Sequence, residues 1–390
     1  VNPPLLIVGA SVRAAAESAH AAGYQVKAID LFSDQDLKEI ADCRLSIQYP
    51  EDLHRLASEF ANIPYLYTGA LENYPEVLAK LSANHPLLGT GSDSMEKIRD
   101  PFWLRDFLQS ASLPTIDLKT HDAPPDNAEK WLIKPFRSGH GLQIRNGLGA
   151  PAQHDEYYQE LKRGLSVGAM FLADGQHCQL IGCHQQLRAL QLDSSQPYQF
   201  CGAVAPLPLP DDTVNTISNI GELLTQETSL RGLFGCDFIV SENTPYLLEV
   251  NPRYTAATEL WETLLNRSLI ADHITACQQG LLSTIPTYHF SGISLKLILY
   301  APEETVVTNH FHECLNQVEG TRIADLPAPG NTIAQHDPVC TLLLMGAKRQ
   351  DISKAAFQSL TAIAGNLEWN PQLASTLSRE ISSQIAENIA

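Results

Sequence analysis

Five side chains in this sequence have types and spacings that suit chemistry together: two acids, an amide, an arginine and a lysine. In the stretch 234–254 (FGCDFIVSENTPYLLEVNPRY), residues 234–240 and 246–250 are apolar, β-branched runs, and 241–245 between them carries turn chemistry. The pattern predicts a β-hairpin. Side chains alternate along a strand, so Leu247, Glu249 and Asn251 are expected on one face, with Leu248 and Val250 on the other. With the turn centred on Asn243, antiparallel pairing sets Asp237 opposite Glu249. Like charges directly across a ladder destabilise a sheet. A cation between them removes that cost, and oxygens from an Asp, a Glu and an Asn on one surface suit Mg2+, which takes few protein ligands and keeps room for water and phosphate. Arg253 is close enough in sequence to reach an anion on that face. The competing reading is a surface hairpin with a solvated acidic face. Apolar residues on both sides of the acids favour a partly buried sheet, where carboxylates need partners.

The lysine lies in 131–135 (WLIKP), a predicted strand followed by the glycine-bearing loop 136–142 (FRSGHGL). A lysine on a rigid strand, beside a loop whose backbone N–H groups can approach an anion, is one way to grip a phosphate. Lys134, Ser138, Gly139 and Gly141 are therefore phosphate candidates. Lys134 alone reads equally well as an exposed hairpin residue; together with the acidic hairpin, the phosphate reading is the stronger.

Gly235-x-Asp237-Phe238-Ile239 followed by Leu248-Glu249-Val250-Asn251-Pro252-Arg253 resembles the metal-binding hairpin of the ATP-grasp superfamily, and Lys134 with its loop resembles that superfamily's second phosphate lysine and lid. The resemblance covers roughly residues 5–345. It implies an α/β fold of ATP-grasp architecture: a Rossmann-like (pre-ATP-grasp) domain at 1–92, a two-lobed nucleotide- and metal-binding region at 93–285, and a small C-terminal α+β unit at 286–390. ATP and Mg2+ (or Mn2+) are the implied cofactors. Asp237 and Glu249 would bind one metal, Glu249 and Asn251 the other; Lys134 would hold the α/β phosphates and Arg253 steady an acyl phosphate. The segment 159–161 resembles the strand whose backbone meets adenine, which marks Glu160 and Leu161. The chain departs from the pattern in the linker, where a lysine normally follows an aspartate: Asp100 is followed by Pro101. Arg99, Lys97 or Arg105 could substitute, or the contact could be missing.

The remaining elements must position these residues. Residues 5–30 read strand, Ala-rich helix, strand, a βαβ opening. The turn Gly9-Ala10-Ser11 favours an anion at a helix N-terminus, and Arg13 lies one turn in, facing either substrate or water. There is no GxGxxG, so dinucleotide binding has little support. Helix 34–40, strand 45–47, helix 51–60 and strand 64–68 follow, and Glu72 and Asn73 come next, at the strand's carboxyl end, where open α/β sheets bind substrates. A cap for the helix 74–81 explains Asn73 equally well. A single helix is expected over 94–110 despite Pro101. Residues 164–175 form a strand ending in an Asp-Gly turn, and the run 182–186, with His184, lies either on a substrate-facing strand or on an edge strand. An amphipathic helix spans 211–227. Strands at 294–300 and 339–345 and a broken helix over 351–389 close the chain.

Composition narrows the partners. Of 390 residues, 44% are hydrophobic and 18% charged, and the length suits two or three domains. A net charge of -18 argues against nucleic acid and anionic membranes. No apolar run is long enough to span a bilayer, and the first residues read as a strand, so a cytoplasmic protein is expected. Eight scattered cysteines fit reduced thiols, and the spacing 177–184 matches no usual zinc site. The implied activity is an ATP-dependent ligase joining a small-molecule carboxylate to an amine through an acyl phosphate, with biosynthesis of a pterin- or furan-linked C1-carrier cofactor as the nearest subtype. Biotin-carboxylase-like activation of bicarbonate and a non-catalytic ATP-binding sensor or scaffold are the alternatives. A homodimer is compatible with the sequence.

Overall fold

The computed structural model describes residues 3–188, 196–286, 290, 292–314, 320–370, 372, 376, 379–380 and 383–385. The chain opens with strands β1 (Pro4–Gly9), β2 (Gln25–Asp30), β3 (Ala41–Leu45) and β4 (Tyr65–Tyr67), which form a parallel sheet in the order β3-β2-β1-β4. Helices α1 (Arg13–Ala21), α2 (Gln35–Ile40), α3 (Leu53–Ala57) and α4 (Pro75–Ser82) connect and follow them. β1 is buried along most of its length, as expected of a parallel strand covered on both faces. The third strand lies at Ala41–Leu45 and not at 45–47, because it continues directly from α2 to pair with β2.

Two helices, α5 (Ser92–Arg99) and α6 (Pro101–Ser110), replace the single helix expected over 94–110. Proline pushes the residue before it out of the helical region, and Asp100 adopts φ -82°, ψ 110°. Its carboxylate then caps α6, accepting from the N–H of Phe102 at 2.9 Å and of Trp103 at 3.3 Å, with Pro101 at the first helical position. The break leaves Arg99 at the very end of α5.

A small antiparallel sheet follows, made of β5 (Leu118–Thr120), β6 (Trp131–Pro135), β7 (Arg145–Asn146) and β8 (Glu156–Glu160) in the order β5-β8-β6-β7. The large sheet takes β9 (Leu165–Asp174), β10 (Cys178–Arg188), β11 (Phe200–Ala205), β12 (Arg231–Ser241), β13 (Thr244–Asn251) and β14 (Ile293–Tyr300). Helices α7 (Asp211–Thr228), α8 (Thr258–Leu265) and α9 (Leu269–Gln279) belong to the same region. Beyond them come a two-stranded ribbon of β15 (Thr305–Val306) and β17 (Thr332–Ile333), the strands β16 (Thr321–Ala324) and β18 (Pro338–Gly346), and helices α10 (Asn309–Cys314) and α11 (Arg349–Asn366). The large sheet runs β13-β12-β9-β10-β11-β14-β18-β16, so it crosses the boundary expected near residue 286 without interruption. One apolar cluster joins Leu187, Cys201 and Val204 to Leu297, Leu342 and Leu360. The C-terminal unit therefore shares its core with the middle of the chain. Helix α11 forms the first part of the broken helix expected over 351–389; Pro371 and most of the residues after it lie outside the described residues. Among the described residues, no helix is long and apolar enough to cross a membrane.

A buried charge cluster ties the N-terminal sheet to the rest. Arg13, 1% exposed, pairs with Glu259 at the start of α8 and donates from Nε to Asp325 at 2.9 Å. Lys296 of β14 reaches the same Glu259 at 2.7 Å, and Asp36 accepts from the N–H of Asp325 at 2.8 Å. Burial alone would raise the Glu259 carboxyl, but Arg13 and Lys296 outweigh it and bring it down to about 2. At Asp34 the balance goes the other way: burial, then Asp325, Asp30 and Asp36, push its carboxyl up to about 8 against a smaller lowering by Arg13. A carboxyl held protonated in the fold stabilises below its unfolded value, and that contribution is lost as pH rises through the folded value. Asp34→Asn is therefore expected to raise the melting temperature at ~pH 9 by roughly 2–4 °C, with the gain fading toward ~pH 4. Thermal denaturation across that range checks the sign.

Candidate active site

The hairpin β12–β13 pairs Gly235 with Asn251, Cys236 with Val250 and Asp237 with Glu249, the facing carboxylates read from the sequence. Its turn is not centred on Asn243 as expected but is the two-residue Glu242-Asn243, both at positive φ (49° and 65°), the geometry of a tight hairpin whose twist matches its strands. Past Asp237 the register shifts, and Phe238 pairs with Leu247. Leu248 is the extra residue of this bulge, and the simple alternation expected along β13 breaks there. Leu247 packs in the core with Val250, whereas Leu248, Glu249 and Asn251 line a cleft with a cavity of about 210 Å³.

The acids belong to a longer row. Asp237 also pairs with Gly168 on β9, and Gly168 pairs with His184 on β10, so four adjacent strands carry His184, Gly168, Asp237 and Glu249 side by side. Gln186 Nε2 donates to Asp237 Oδ1 at 2.7 Å and is itself held by Ser166 Oγ at 2.9 Å. Asn251 Nδ2 stands between the acids, 3.2 Å from Asp237 and 3.4 Å from Glu249. Burial and the neighbouring Glu249 push the Asp237 carboxyl well up. Glu249 moves the other way, to about 2: burial opposes this, and Arg99 and Lys134 overcome it. Among the described residues, no group of three or more His, Cys, Asp or Glu side chains could hold a metal ion. Two carboxylates and an amide oxygen are a sparse donor set, which fits Mg2+ completed by phosphate and water.

Three cations surround the row. Lys134 is buried on β6 and donates to Gln159 Oε1 at 3.3 Å; its ammonium is held above its usual value because Tyr157 and Glu249 outweigh the burial that lowers it. Of the three linker candidates, only Arg99 enters the site, 3.7 Å from Glu249. Lys97 pairs with Glu227 and Arg105 with Asp106. Arg253 Nε donates to both oxygens of Glu72 at 2.9 Å.

Ser138, Gly139, His140 and Gly141 all line the cleft. Gly141 has φ +73°, and a Cβ there would stand 1.9 Å from the Tyr198 carbonyl oxygen, so the close approach requires glycine. The N–H of Phe200 donates to the His140 carbonyl at 2.8 Å, fastening the loop to β11. From the N-terminal domain, Asn73 Nδ2 donates to the Ser138 carbonyl at 2.9 Å. Asn73 is not a helix cap, since no side chain caps α4.

The substrate candidates Glu72 and Asn73 thus reach the site, and two others do not. The guanidinium of Arg13 is consumed by the buried charge cluster, and Ser11 is exposed, its carbonyl accepting from Thr68, and does not line the cleft. Leu161 lines the cleft, but the Glu160 carboxylate turns to Lys162 at 3.1 Å. The N–H groups of 160 and 161 already donate to the carbonyls of Asp117 and Lys130. That leaves carbonyls and Lys162, which also lines the cleft, as the groups this segment can offer a base.

β10 is an interior strand, which decides the open reading of 182–186: Gln186 and His184 face the cleft, and Gln185 turns away to Arg349. His184 is 3% exposed, its Nδ1 has no hydrogen-bond partner among the described residues, and burial pulls its imidazole down to about 3, so the ring is neutral. A Cβ on Gly168 would stand 2.1 Å from His184 Nε2, so the glycine is what gives the ring its place. Gln186, Gly168 and Tyr198 were not singled out as site residues from sequence. Gly168 lies between Val167 and Ala169 in an otherwise apolar run, and only the pairing of β9 with β10 sets it beside His184.

Residues 98–257 match the family model of the ATP-grasp domain. None of the curated proteins is similar in sequence. Among solved structures, the biotin carboxylase domain of Hydrogenobacter thermophilus 2-oxoglutarate carboxylase, in complex with MgADP, ADP and bicarbonate, superposes with a TM-score of 0.72 at 14% identity, covering 99% of each chain. N5-carboxyaminoimidazole ribonucleotide synthetase from Thermus thermophilus gives 0.68 at 15% identity, covering 94% of this chain and 99% of that one. Rhizobium etli pyruvate carboxylase gives 0.71 at 13% identity; 91% of this chain is covered, but only 36% of that longer protein. The chain carries an ATP-grasp domain and has the ATP-grasp fold, as the hairpin and lysine motifs implied.

The like-charged pair has a measurable consequence. Asp237→Asn removes the acid that burial and Glu249 destabilise, and is expected to raise the melting temperature of the metal-free protein by roughly 2–4 °C at alkaline pH, the gain fading as pH falls and the carboxyl protonates, while abolishing any stabilisation by MgADP. Thermal denaturation with and without Mg2+ and ADP checks both halves.

Proposed function

We propose that the protein is an ATP-dependent ligase that activates a small carboxylate as an acyl phosphate and passes the acyl group to an amine. The observation that carries this reading is the convergence, in one cleft, of the Asp237–Glu249–Asn251 row, Lys134 with its glycine loop, and Arg253. Asp237, Glu249 and Asn251 would hold Mg2+, which when bound neutralises phosphate charge. The chain's own residues do the rest. Lys134, charged and rigid on its strand, suits the phosphates of ATP, and the loop 138–141 covers them. A carboxylate oxygen attacks the γ-phosphorus and ADP leaves; the amine then attacks the acyl carbon and phosphate leaves. Arg253 is placed to meet the charge that develops on the acyl phosphate. Its present partner, Glu72, is a carboxylate, the group a substrate acid would bring to it.

Bicarbonate as the acid is a second reading, supported by the end-to-end likeness to a biotin carboxylase domain solved with that anion. A sensor that binds MgATP without turnover is the third, and the linker, with Pro101 after Asp100, is what keeps it in view. A phosphate-release screen of acid and amine pairs separates them. The panel includes bicarbonate and the acids of pterin- and furan-linked C1 carriers, and light scattering on the same samples tests for a homodimer. Acid- and amine-dependent release supports the ligase, and bicarbonate-dependent release the second reading. MgATP binding with no ADP across the panel supports the sensor. With the active pair, Glu249→Ala is expected to cut ADP formation about a hundredfold or more with folding retained. Full activity in that variant would overturn the metal assignment.

A further inference from the structure

The Ser138 carbonyl, in the middle of the glycine loop, accepts from two side chains outside the loop: Asn73 Nδ2 at 2.9 Å and Arg99 Nη2 at 3.4 Å. The two donors also bind each other, Arg99 Nη2 donating to Asn73 Oδ1 at 2.8 Å. On its other side Arg99 donates from Nη1 to the Val250 carbonyl at 3.3 Å and lies 3.7 Å from Glu249 Oε2. One guanidinium thus touches the loop, a turn of the N-terminal domain and the acidic hairpin. Its Nε is buried and has no hydrogen-bond partner among the described residues. A second, small cavity of about 20 Å³ opens between Arg99, Lys134, Ser138 and Glu249, room for about one water-sized group.

We infer that Arg99, with Asn73, is the clasp that positions the glycine loop against the acidic hairpin, so that closing the loop and orienting Glu249 are a single event. Three features carry this. The break at Pro101 ends α5 at Arg99 and frees its side chain from a continuing helix. The contacts use the planar fork of a guanidinium, which a lysine ammonium cannot reproduce. And Asn73 is supplied by a different domain from either element it helps to join, so the N-terminal domain completes the clasp. The bearing of the clasp on nucleotide binding rests on the proposed function; the clasp itself does not.

Two measurements on the intact protein test it. The first is backbone amide exchange without nucleotide in the native chain, Arg99→Ala, Arg99→Lys, Asn73→Ala and the double variant Arg99→Ala/Asn73→Ala. Exchange in the loop 136–142 is expected to quicken about tenfold in Arg99→Ala and Asn73→Ala, Arg99→Lys is not expected to restore it, and the double variant is expected to add little to Arg99→Ala. Unchanged loop exchange in Arg99→Ala overturns the clasp. Equal quickening in β9, far from the loop in sequence, also overturns it, because the effect would then be general destabilisation. The second measurement is MgADP binding by calorimetry, where Arg99→Ala is expected to bind about tenfold more weakly. If the native chain shows no MgADP binding while the loop behaves as expected, the nucleotide reading fails and the clasp stands.

Discussion

The arrangement of the site follows from one unfavourable contact, the facing of Asp237 and Glu249 across two neighbouring strands. Two acids side by side on a partly buried sheet repel, and each loses hydration. The surrounding side chains answer that cost. Asn251 stands between the acids, Gln186 donates to one of them, and Arg99 and Lys134 bring positive charge to the other. The result is asymmetric. Charge is concentrated on Glu249, beside Arg99 and Lys134, while burial and Glu249 push the Asp237 carboxyl up.

The facing pair was legible through two departures that offset each other: the turn is Glu242-Asn243, not one centred on Asn243, and alone would set Asp237 opposite Leu248, and the extra residue Leu248 restores the pairing with Glu249. The sequence could not show the bulge at Leu248. A bulge adds one residue without changing the hydrophobic pattern enough to be seen, yet it sends Leu247 to the core and Leu248 to the cleft. Strict alternation held from Glu249 to Asn251, on the side of the facing acids, and failed on the side of the turn. The helix over 94–110 failed for a different reason. The apolar spacing continues through Pro101, but proline's missing N–H and the displaced backbone of Asp100 outweigh it. In the same way Lys134 was found from its strand and loop, whereas His184 and Gln186 needed the knowledge that β10 is interior.

Arg13 shows the limit of reading charge from position. A helix N-terminus beside a strand end is where anions bind in such sheets. In this chain the anions are the protein's own: Glu259, Asp325 and Glu17. Two of these lie more than two hundred residues away in sequence, and nothing local to Arg13 announces them. The pairing exchanges a ligand contact for an interdomain one, and a buried pair of this kind specifies geometry more than it adds stability.

That exchange bears on how the cleft works. The N-terminal part of the chain is attached to α8 through Arg13, and it approaches the cleft again through the turn Leu71–Asn73. Side chains that follow one another on so tight a turn diverge, so adjacent residues serve different partners. Glu72 holds Arg253 on the acidic hairpin, and Asn73 holds Ser138 on the glycine loop. A displacement of this turn moves both contacts together. On the proposed reading, an acid that competed with Glu72 for Arg253 would perturb the same short turn that fastens the loop.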